Sequence, residues 1–494
     1  EGTDEEQGEV YAFNLVYSGN FTAQTQVDSY RNTRVTMGIN PFDFTWLLEP
    51  EESFQTPEVV MVYTENGLGG MSRIYHDLYR NRLCRGPFRD KERPILINNW
   101  EATYFNFDAD KIEQLAKEAQ SVGVELFVLD DGWFGKRDDD NTSLGDWVVD
   151  RRKLPDGLPD LANRIRNLGM EFGLWFEPEM VSIDSDLYRK HPDWCIHVPD
   201  RPYTLGRNQL MLDLSRKEVC EYVIKSVSDI LSDVPITYVK WDMNRHMTDV
   251  GSAALPPERQ RETAHRYILG LYNILEELTS KFPHVLFESC SSGGGRFDAG
   301  MLYYMPQTWT SDNTDAICRL KIQWGTSLVY PPITMGAHVS TVPNHQVGRT
   351  TPLETRGYVA MAGNFGYELD LTTLTVEEKE IVKKQIALYK EMRSLIQFGK
   401  FYRIINPFDG NEAAWNFVSE DQTEMAASYF KVLSQPAAAI KTLKFKGLNP
   451  DYIYRNVQTG ELFGGDELMH VGITLTRVKQ DFLGMFWRFV KEDI

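Results

Sequence analysis

The chain has 494 residues, 42% of them hydrophobic, and a formal net charge of −19. This length is too great for one compact core and predicts two or three domains of an ordinary globular protein. The negative charge excludes nucleic acid and anionic membranes as natural partners, because both would repel the chain. No run of 18 or more apolar residues is present, so no transmembrane helix is predicted.

The first ten residues are acidic and contain neither an initiator methionine nor a secretory signal. We therefore expect the chain to begin inside a longer protein. The five cysteines are odd in number and widely scattered, without a zinc spacing or a disulfide framework. Reduced thiols and a cytoplasmic location are predicted.

Residues 1–92 predict the end of an N-terminal β-domain followed by a linker helix. Strand-like segments occur at Val10–Tyr17 and Arg34–Gly38, and a glycine-rich segment opens a helix that runs from Met71 to Arg82. This is too little β-structure for a complete sandwich.

Residues 93–399 change to apolar runs that alternate with amphipathic helices, which is typical of a parallel sheet. Eight strands with helices between them predict an α/β fold, a (β/α)8 TIM barrel. A further apolar segment, Leu210–Leu214, is a rival strand. The eight runs are Ile95–Trp100, Leu126–Asp130, Phe172–Phe176, Tyr238–Asp242, Val285–Cys290, Thr308–Ser311, Thr334–Val339 and Asn364–Leu369.

A long helix is predicted at the end of the barrel, from about Val376 to Phe398, with Thr375 and Glu378 as a capping box. Residues 400–494 then alternate between short apolar segments and turns. We predict a C-terminal antiparallel β-sandwich domain there.

Chemistry in a barrel is expected at the carboxyl ends of the strands. Carboxylates, tryptophans and basic or amide donors recur at these positions. Aromatic walls with carboxylates and donors between them indicate a sugar pocket. The residues concerned are Trp100, Asp130 to Trp133, Trp175, Glu177, Lys240 to Arg245, Cys290 to Arg296 and Trp309 to Asp315.

Two of these carboxylates are the candidates for catalysis. Asp242 ends a strand with Lys240 on the same face, so it suits an ionised nucleophile, although a strand-end salt bridge would explain the same spacing. Asp312 also follows a strand; it could cap the next helix, but Asp315 fits that cap better. Two such carboxylates suit cleavage of a glycosidic bond.

Other motifs indicate less. The glycine run Ser292–Arg296 lacks the lysine and spacing of a phosphate-binding loop. The acidic run Asp138–Asp140 is predicted to be a solvated loop, with calcium binding as a lesser alternative. His338 and His345 have no partner at metal-ligand spacing, and structural roles are expected for both.

Four blocks in order, Leu129–Trp133, Lys240–Arg245, Cys290–Arg296 and Trp309–Asn313, resemble the signature blocks of glycoside hydrolase family 36, the bacterial-type α-galactosidases. The resemblance runs from about Ile95 to the C-terminus. It implies a retaining glycoside hydrolase that removes terminal α-galactose from melibiose, raffinose or stachyose. It also implies no metal or organic cofactor, and a tetramer where the family's large N-terminal β-sandwich is present.

The resemblance also implies individual roles. Asp242 is the expected nucleophile and Asp312 the acid/base. Asp130 and Asp131 are expected to bind the galactose 4- and 6-hydroxyls. The tryptophans expected to shape the pocket are Trp100, Trp175 and Trp309. The expected donors to ring hydroxyls are Arg207, Lys240 and Asn244. Cys290 and Gly293 are expected on the 2-hydroxyl side.

The sequence also leaves alternative functions open. A galactosyltransferase of the raffinose or stachyose synthase type would share the covalent intermediate, and an α-N-acetylgalactosaminidase would differ only near the 2-position. A non-catalytic sugar-binding homologue would not need both carboxylates. A doubly wound nucleotide enzyme is disfavoured, because no glycine fingerprint follows the first strand at Asn98–Glu101.

Overall fold

A computed structural model describes residues 2–437 and 439–492. Its N-terminal part consists of two antiparallel strand pairs, β1 with β4 and β2 with β3, followed by one helix. A single π-helical turn, Tyr79–Leu83, extends that helix. The elements are β1 (Val10–Val16), β2 (Phe21–Val27), β3 (Thr33–Ile39), β4 (Glu58–Thr64) and α1 (Gly67–Leu78).

The central part contains ten strands. Eight of them, all except β8 and β9, close into a parallel barrel. The ten strands are β5 (Leu96–Asn98), β6 (Leu126–Leu129), β7 (Glu171–Phe176), β8 (Met180–Ser182), β9 (Gln209–Met211), β10 (Tyr238–Trp241), β11 (Leu286–Ser289), β12 (Gln307–Trp309), β13 (Met335–Ser340) and β14 (Asn364–Glu368).

The barrel closes between its last and first strands, where Gly366 of β14 pairs with Leu96 of β5. All eight predicted runs form barrel strands, so the prediction of a parallel barrel is confirmed. The rival segment forms β9, which pairs antiparallel with β8 outside the barrel. The first strand is shorter than predicted: Asn98 accepts a hydrogen bond from the backbone N of Trp100 at 2.7 Å, and a helical turn begins there.

Helices connect and cover the barrel strands. They are α2 (Trp100–Thr103), α3 (Ala109–Val122), α4 (Leu158–Asn167), α5 (Asp186–Lys190), α6 (Lys217–Asp233), α7 (Thr263–Lys281), α8 (Ala299–Tyr304), α9 (Ala316–Thr326), α10 (Leu353–Ala360) and α11 (Val376–Phe398). Helix α3 shows why they form. Asp108 caps its start, and Gly123 ends it at φ +100°. Between them, five buried apolar residues recur at helical spacing: Ile112, Leu115, Ala116, Ala119 and Val122.

Helix α11 begins at the predicted capping box, because Thr375 and Glu378 bond reciprocally. The predicted C-terminal β-domain follows it. Six of its strands form one antiparallel sheet in the order β15–β16–β17–β22–β19–β20, and β18 pairs with β21. Among residues 2–437 and 439–492, none of the helices combines the length and the apolar composition that a membrane span requires. The elements are β15 (Lys400–Ile405), β16 (Glu412–Val418), β17 (Glu424–Lys431), β18 (Thr442–Leu443), β19 (Ile453–Asn456), β20 (Leu462–Gly464), α12 (Gly465–His470), β21 (Ile473–Thr474) and β22 (Leu483–Lys491).

Candidate active site

A cavity of about 110 Å³ lies at the carboxyl ends of the barrel strands. A wider groove of about 780 Å³ lies on the outer surface between α6 and α7, but none of the strand-end residues lines it. The smaller cavity is therefore the candidate active site, because strand-end carboxylates and tryptophans line it. Its lining residues are Trp100, Glu101, Tyr104, Asp130, Asp131, Trp175, Arg207, Lys240, Asp242, Asn244, Trp309, Asp312, Thr314, His345, Gln346 and Glu368.

The resemblance assigns individual roles to twelve residues, and ten of them line this cavity. They come from the ends of five barrel strands and from the loop before β9, which carries Arg207. The two that do not line it are Cys290 and Gly293. Cys290 is buried, and burial raises the pKa of its thiol, so it lies behind the cavity wall as a neutral group.

Three donors hold the Asp242 carboxylate. Its Oδ2 accepts hydrogen bonds from Trp175 Nε1 at 3.1 Å and from Asn244 Nδ2 at 2.8 Å, and its Oδ1 accepts from the backbone N of Met243 at 2.9 Å. The side chain is buried and fixed in one orientation. Lys240 does not form the alternative salt bridge with Asp242, because its Nζ pairs with Asp130 Oδ2 at 2.8 Å.

Asp312 has a different environment. Its Oδ1 accepts one hydrogen bond, from Trp309 Nε1 at 2.8 Å. Burial raises the pKa of Asp312, and the negative charge of Asp242 adds to the increase. The helix-capping alternative is wrong for Asp312, because Asp315 caps α9 by accepting from the backbone N of Cys318 at 2.9 Å.

The two neighbouring aspartates after β6 are anchored by basic side chains. Asp130 pairs with Lys240 and also accepts from Asn98 Nδ2 at 2.6 Å. Asp131 is held by Arg137, whose Nε and Nη2 donate to its two carboxylate oxygens at 3.0 and 2.9 Å. Burial raises the pKa of Asp131, and Arg137 opposes that increase. Arg137 is a positioning residue that sequence analysis missed, since nothing in its spacing links it to Asp131.

The glycine run after β11 supports the segment that carries Asp312. Gly293 has φ +84°, and a Cβ added to it would lie 2.5 Å from the backbone N of Asp312. Arg296, at the end of the run, forms a buried ion pair with Glu179, with Nη1 and Nη2 each donating to one carboxylate oxygen at 2.9 and 2.6 Å. The run therefore packs backbone against backbone beside the segment that carries Asp312.

We expect Gly293→Ala to lower kcat for the reaction in this cavity by about 10²-fold. The added Cβ must displace the segment that carries Asp312, and a shift of about 1 Å at a group that takes part in catalysis lowers the rate by about that factor. The matched control is Gly169→Ala. Gly169 has nearly the same φ, +86°, but nothing lies within 4 Å of the added Cβ. Gly169→Ala should cost about 1–2 kcal/mol of unfolding free energy from its left-handed φ alone, and Gly293→Ala should cost more, because its Cβ also overlaps backbone atoms; denaturation measures both. Equal kcat values for the two variants would contradict this role of Gly293.

Six cavity residues were not among the predicted contacts: Glu101, Tyr104, Thr314, His345, Gln346 and Glu368. Glu368 ends β14 and could have been found from the strand-end rule. Tyr104 and His345 lie on different loops 241 residues apart and share a hydrogen bond at the cavity rim. His345 thus lines the cavity, and the structural role expected for it stays a prediction. His338 is buried between Trp309 and Glu368.

Several glutamates at this end of the barrel have raised pKa values. Burial is the main cause in each case. It raises the pKa of Glu101 to about 7 and that of Glu368 to about 8. Glu177, just outside the cavity lining, has its pKa raised by burial and by the charge of Asp242. Burial and mutual repulsion disfavour the ionised form of these carboxyl groups. Some of them therefore stay protonated near neutral pH and can act as acids.

Within residues 2–437 and 439–492, no group of three or more histidine, cysteine, aspartate or glutamate side chains is arranged to hold a metal ion. The acidic run has other partners: Asp138 pairs with Arg152 at 2.9 Å, and Asp139 accepts a hydrogen bond from the backbone N of Asn141.

Comparisons with known proteins agree along the whole chain. The family model described as melibiase matches residues 53–399, and the N- and C-terminal domain models of glycosyl hydrolase family 36 match residues 1–49 and 412–489. Alpha-galactosidase AgaA of Geobacillus stearothermophilus is 66% identical over 485 residues, which are 98% of this chain and 66% of that protein. The chain thus spans just under two thirds of the length of this relative.

Two solved structures are similar throughout. A substituted AgaA in complex with raffinose has a TM-score of 0.99 and 64% sequence identity, covering 100% of this chain and 68% of that chain. Another substituted AgaA, in complex with stachyose, has a TM-score of 0.98 and 64% sequence identity. It also covers 100% of this chain and 68% of that chain.

Proposed function

This chain belongs to glycosyl hydrolase family 36, and from that premise we propose that it is a retaining α-galactosidase acting on raffinose- and stachyose-type oligosaccharides. The observation that carries the proposal is the pairing of two carboxyls in one buried cavity. Asp242 is held by three donors, and Asp312 accepts one hydrogen bond and has a raised pKa. This difference suits one nucleophile and one acid.

In the first step, a carboxylate oxygen of Asp242 attacks the anomeric carbon from the β face. The bond from that carbon to the aglycone oxygen breaks, and Asp312 transfers its proton to the departing oxygen. The product is a β-galactosyl ester of Asp242. The N–H groups of Trp175 and Asn244 keep the attacking oxygens oriented before the reaction.

In the second step, Asp312 is ionised and acts as a base. It takes a proton from a water molecule, whose oxygen attacks the anomeric carbon from the α face. The ester bond breaks, Asp242 is restored as a carboxylate, and galactose leaves in the α configuration. Two inversions give net retention.

Selectivity for galactose is proposed to come from Asp130 and Asp131. Both line the cavity and are held rigidly by Lys240 and Arg137. Fixed carboxylates placed to accept from the 4- and 6-hydroxyls would lose a partner when the 4-hydroxyl is equatorial, as in glucose. Leaving a buried polar group unpaired is the strongest source of discrimination between similar substrates.

We expect 4-nitrophenyl α-galactoside to be cleaved at least about 10³-fold more efficiently, in kcat/KM, than the α-glucoside. The α-N-acetylgalactosaminide is the third substrate of the assay and tests the 2-position. Release of nitrophenol measures all three, and product analysis with raffinose separates hydrolysis from galactosyl transfer. A folded chain that cleaves none of the three contradicts the proposal, and transfer without free galactose favours the synthase-type alternative.

A further inference from the structure

Glu177 follows β7 directly and lies beside the proposed nucleophile. Strands β7 and β10 are neighbours in the barrel, with Phe176 paired to Trp241, so the next residues along them, Glu177 and Asp242, are adjacent. Glu177 is 1% exposed and is not among the residues that line the cavity. A buried carboxyl that close to the nucleophile, without access to the substrate, needs a separate explanation.

One amide group connects the two carboxyls. Asn244 Nδ2 donates to Glu177 Oε2 at 3.1 Å and to Asp242 Oδ2 at 2.8 Å. The backbone N of Asn244 donates to the other oxygen of Glu177, Oε1. Glu177 therefore holds both the backbone and the side chain of the residue that bonds to Asp242.

The orientation of this amide is determined by Ser292. The backbone N and the Oγ of Ser292 donate to Asn244 Oδ1 at 3.1 and 2.9 Å. A backbone N–H can only donate, so the amide oxygen must face Ser292 and the NH₂ group must face the two carboxyls. Both hydrogens of that NH₂ group then have an acceptor.

We infer that Glu177 is a positioning residue for the nucleophile: it holds the Asn244 amide so that its N–H meets the attacking carboxylate of Asp242. The inference rests on the proposed role of Asp242. The three hydrogen bonds form a continuous chain from Glu177 through Asn244 to Asp242. A catalytic group keeps productive geometry only when its neighbours are held in this way.

The same carboxyl also anchors a second part of the site. Gln209 Nε2 donates to Glu177 Oε1, and Gln209 stands two residues after Arg207, which lines the cavity. Arg245 Nη1 donates to the backbone oxygen of Gln209 at 3.0 Å. Glu177 thus joins the nucleophile segment to the Arg207 segment.

The test is Glu177→Gln. An oxygen of Glu177 can accept whether the carboxyl is ionised or protonated, but an amide nitrogen has no lone pair to offer. In this variant, the backbone N of Asn244 donates to the amide oxygen of the new glutamine side chain. The NH₂ group of that glutamine must then face Asn244 Nδ2. We expect the Asn244 side chain to rotate away from Asp242, and kcat for 4-nitrophenyl α-galactoside to fall about 10- to 100-fold.

A double-mutant cycle with Asn244→Ala separates positioning from general loss of stability. If Glu177 acts through Asn244, then Glu177→Gln should change kcat little once Asn244 is already alanine. Two effects on kcat that simply multiply would overturn the inference. A crystal structure of Glu177→Gln with Asn244 still bonded to Asp242 would overturn it as well, whatever the activity.

Glu288→Gln removes an equally buried carboxyl on the neighbouring strand β11, one that accepts from Gln307 and does not line the cavity, and it should leave kcat near the wild-type value. Glu177→Asp keeps a carboxylate in the barrel if Glu177→Gln fails to fold, and should lower kcat with the same dependence on Asn244. An inert wild type would refute the proposed function, whereas the crystal structure of the variant decides this inference separately.

Discussion

Replacement of Asp242 by glycine is expected to lower kcat for α-galactosides by roughly 10⁴- to 10⁶-fold, the range found when a nucleophile is removed. Without the carboxylate, no ester can form on the protein, although the cavity and Asp312 remain. The measurement is release of nitrophenol at saturating substrate, with circular dichroism to establish that the variant is folded.

Azide gives this prediction its sharpest test. In Asp242→Gly, azide can occupy the space of the lost carboxylate and attack the anomeric carbon directly from the β face, giving β-galactosyl azide. In a variant that keeps Asp242, azide instead attacks the ester from the opposite face and gives the α product. Residual activity above about one tenth of wild type, or an α-azide from Asp242→Gly, would show that another group is the nucleophile.

The second large effect is expected for Asp312→Gly, which should lower kcat/KM for raffinose by about 10²- to 10⁴-fold. The leaving oxygen of raffinose needs a proton, whereas dinitrophenolate departs without one, so the dinitrophenyl galactoside should lose much less. Asp315→Asn is the matched control, since asparagine also caps helices well and Asp315 does not line the cavity. Equal losses for both substrates would contradict the acid role.

The pH dependence of the same variants tests the direction of the pKa shift. Burial and the charge of Asp242 raise the pKa of Asp312. In the proposed mechanism, the protonated form of Asp312 is the active one in the free enzyme. Activity that depends on this proton is complete at low pH and is lost as the pH rises through the raised pKa. The alkaline limb of the kcat/KM profile should therefore be present in the wild type and in Asp315→Asn and absent in Asp312→Gly. A limb that persists in Asp312→Gly belongs to another group.

The strands and their order were predictable because each barrel strand is buried on both faces. A continuous apolar run is the sequence consequence of that burial, and Phe172 to Phe176 illustrates it. The ends were less predictable. The first strand stops at Asn98, because the side chain of Asn98 bonds to the backbone of Trp100 and starts a turn, a choice that apolar periodicity does not register.

The candidate site was predictable to the extent that it lies at strand ends. Asp242, Asp312 and the aspartate pair after β6 follow apolar runs, and the structure brings them together in one cavity. Glu368 was missed although it also ends a strand. Tyr104 and His345 had no signal, because the bond between them depends on loops that meet only when the barrel closes.

The sequence by itself determined the alternation of buried strands and amphipathic helices, and with it the barrel and the edge that carries the reactive groups, because burial and periodicity are local properties of the chain. Only the tertiary structure decided the partners. Spacing placed Lys240 on the same face as Asp242, but the ammonium pairs with Asp130, which follows a strand two positions away around the barrel. Likewise, Glu177 reaches Asp242 through Asn244 because the register of β7 against β10 pairs Phe176 with Trp241. Contacts between strands depend on closure and register, which the pattern along one strand does not contain.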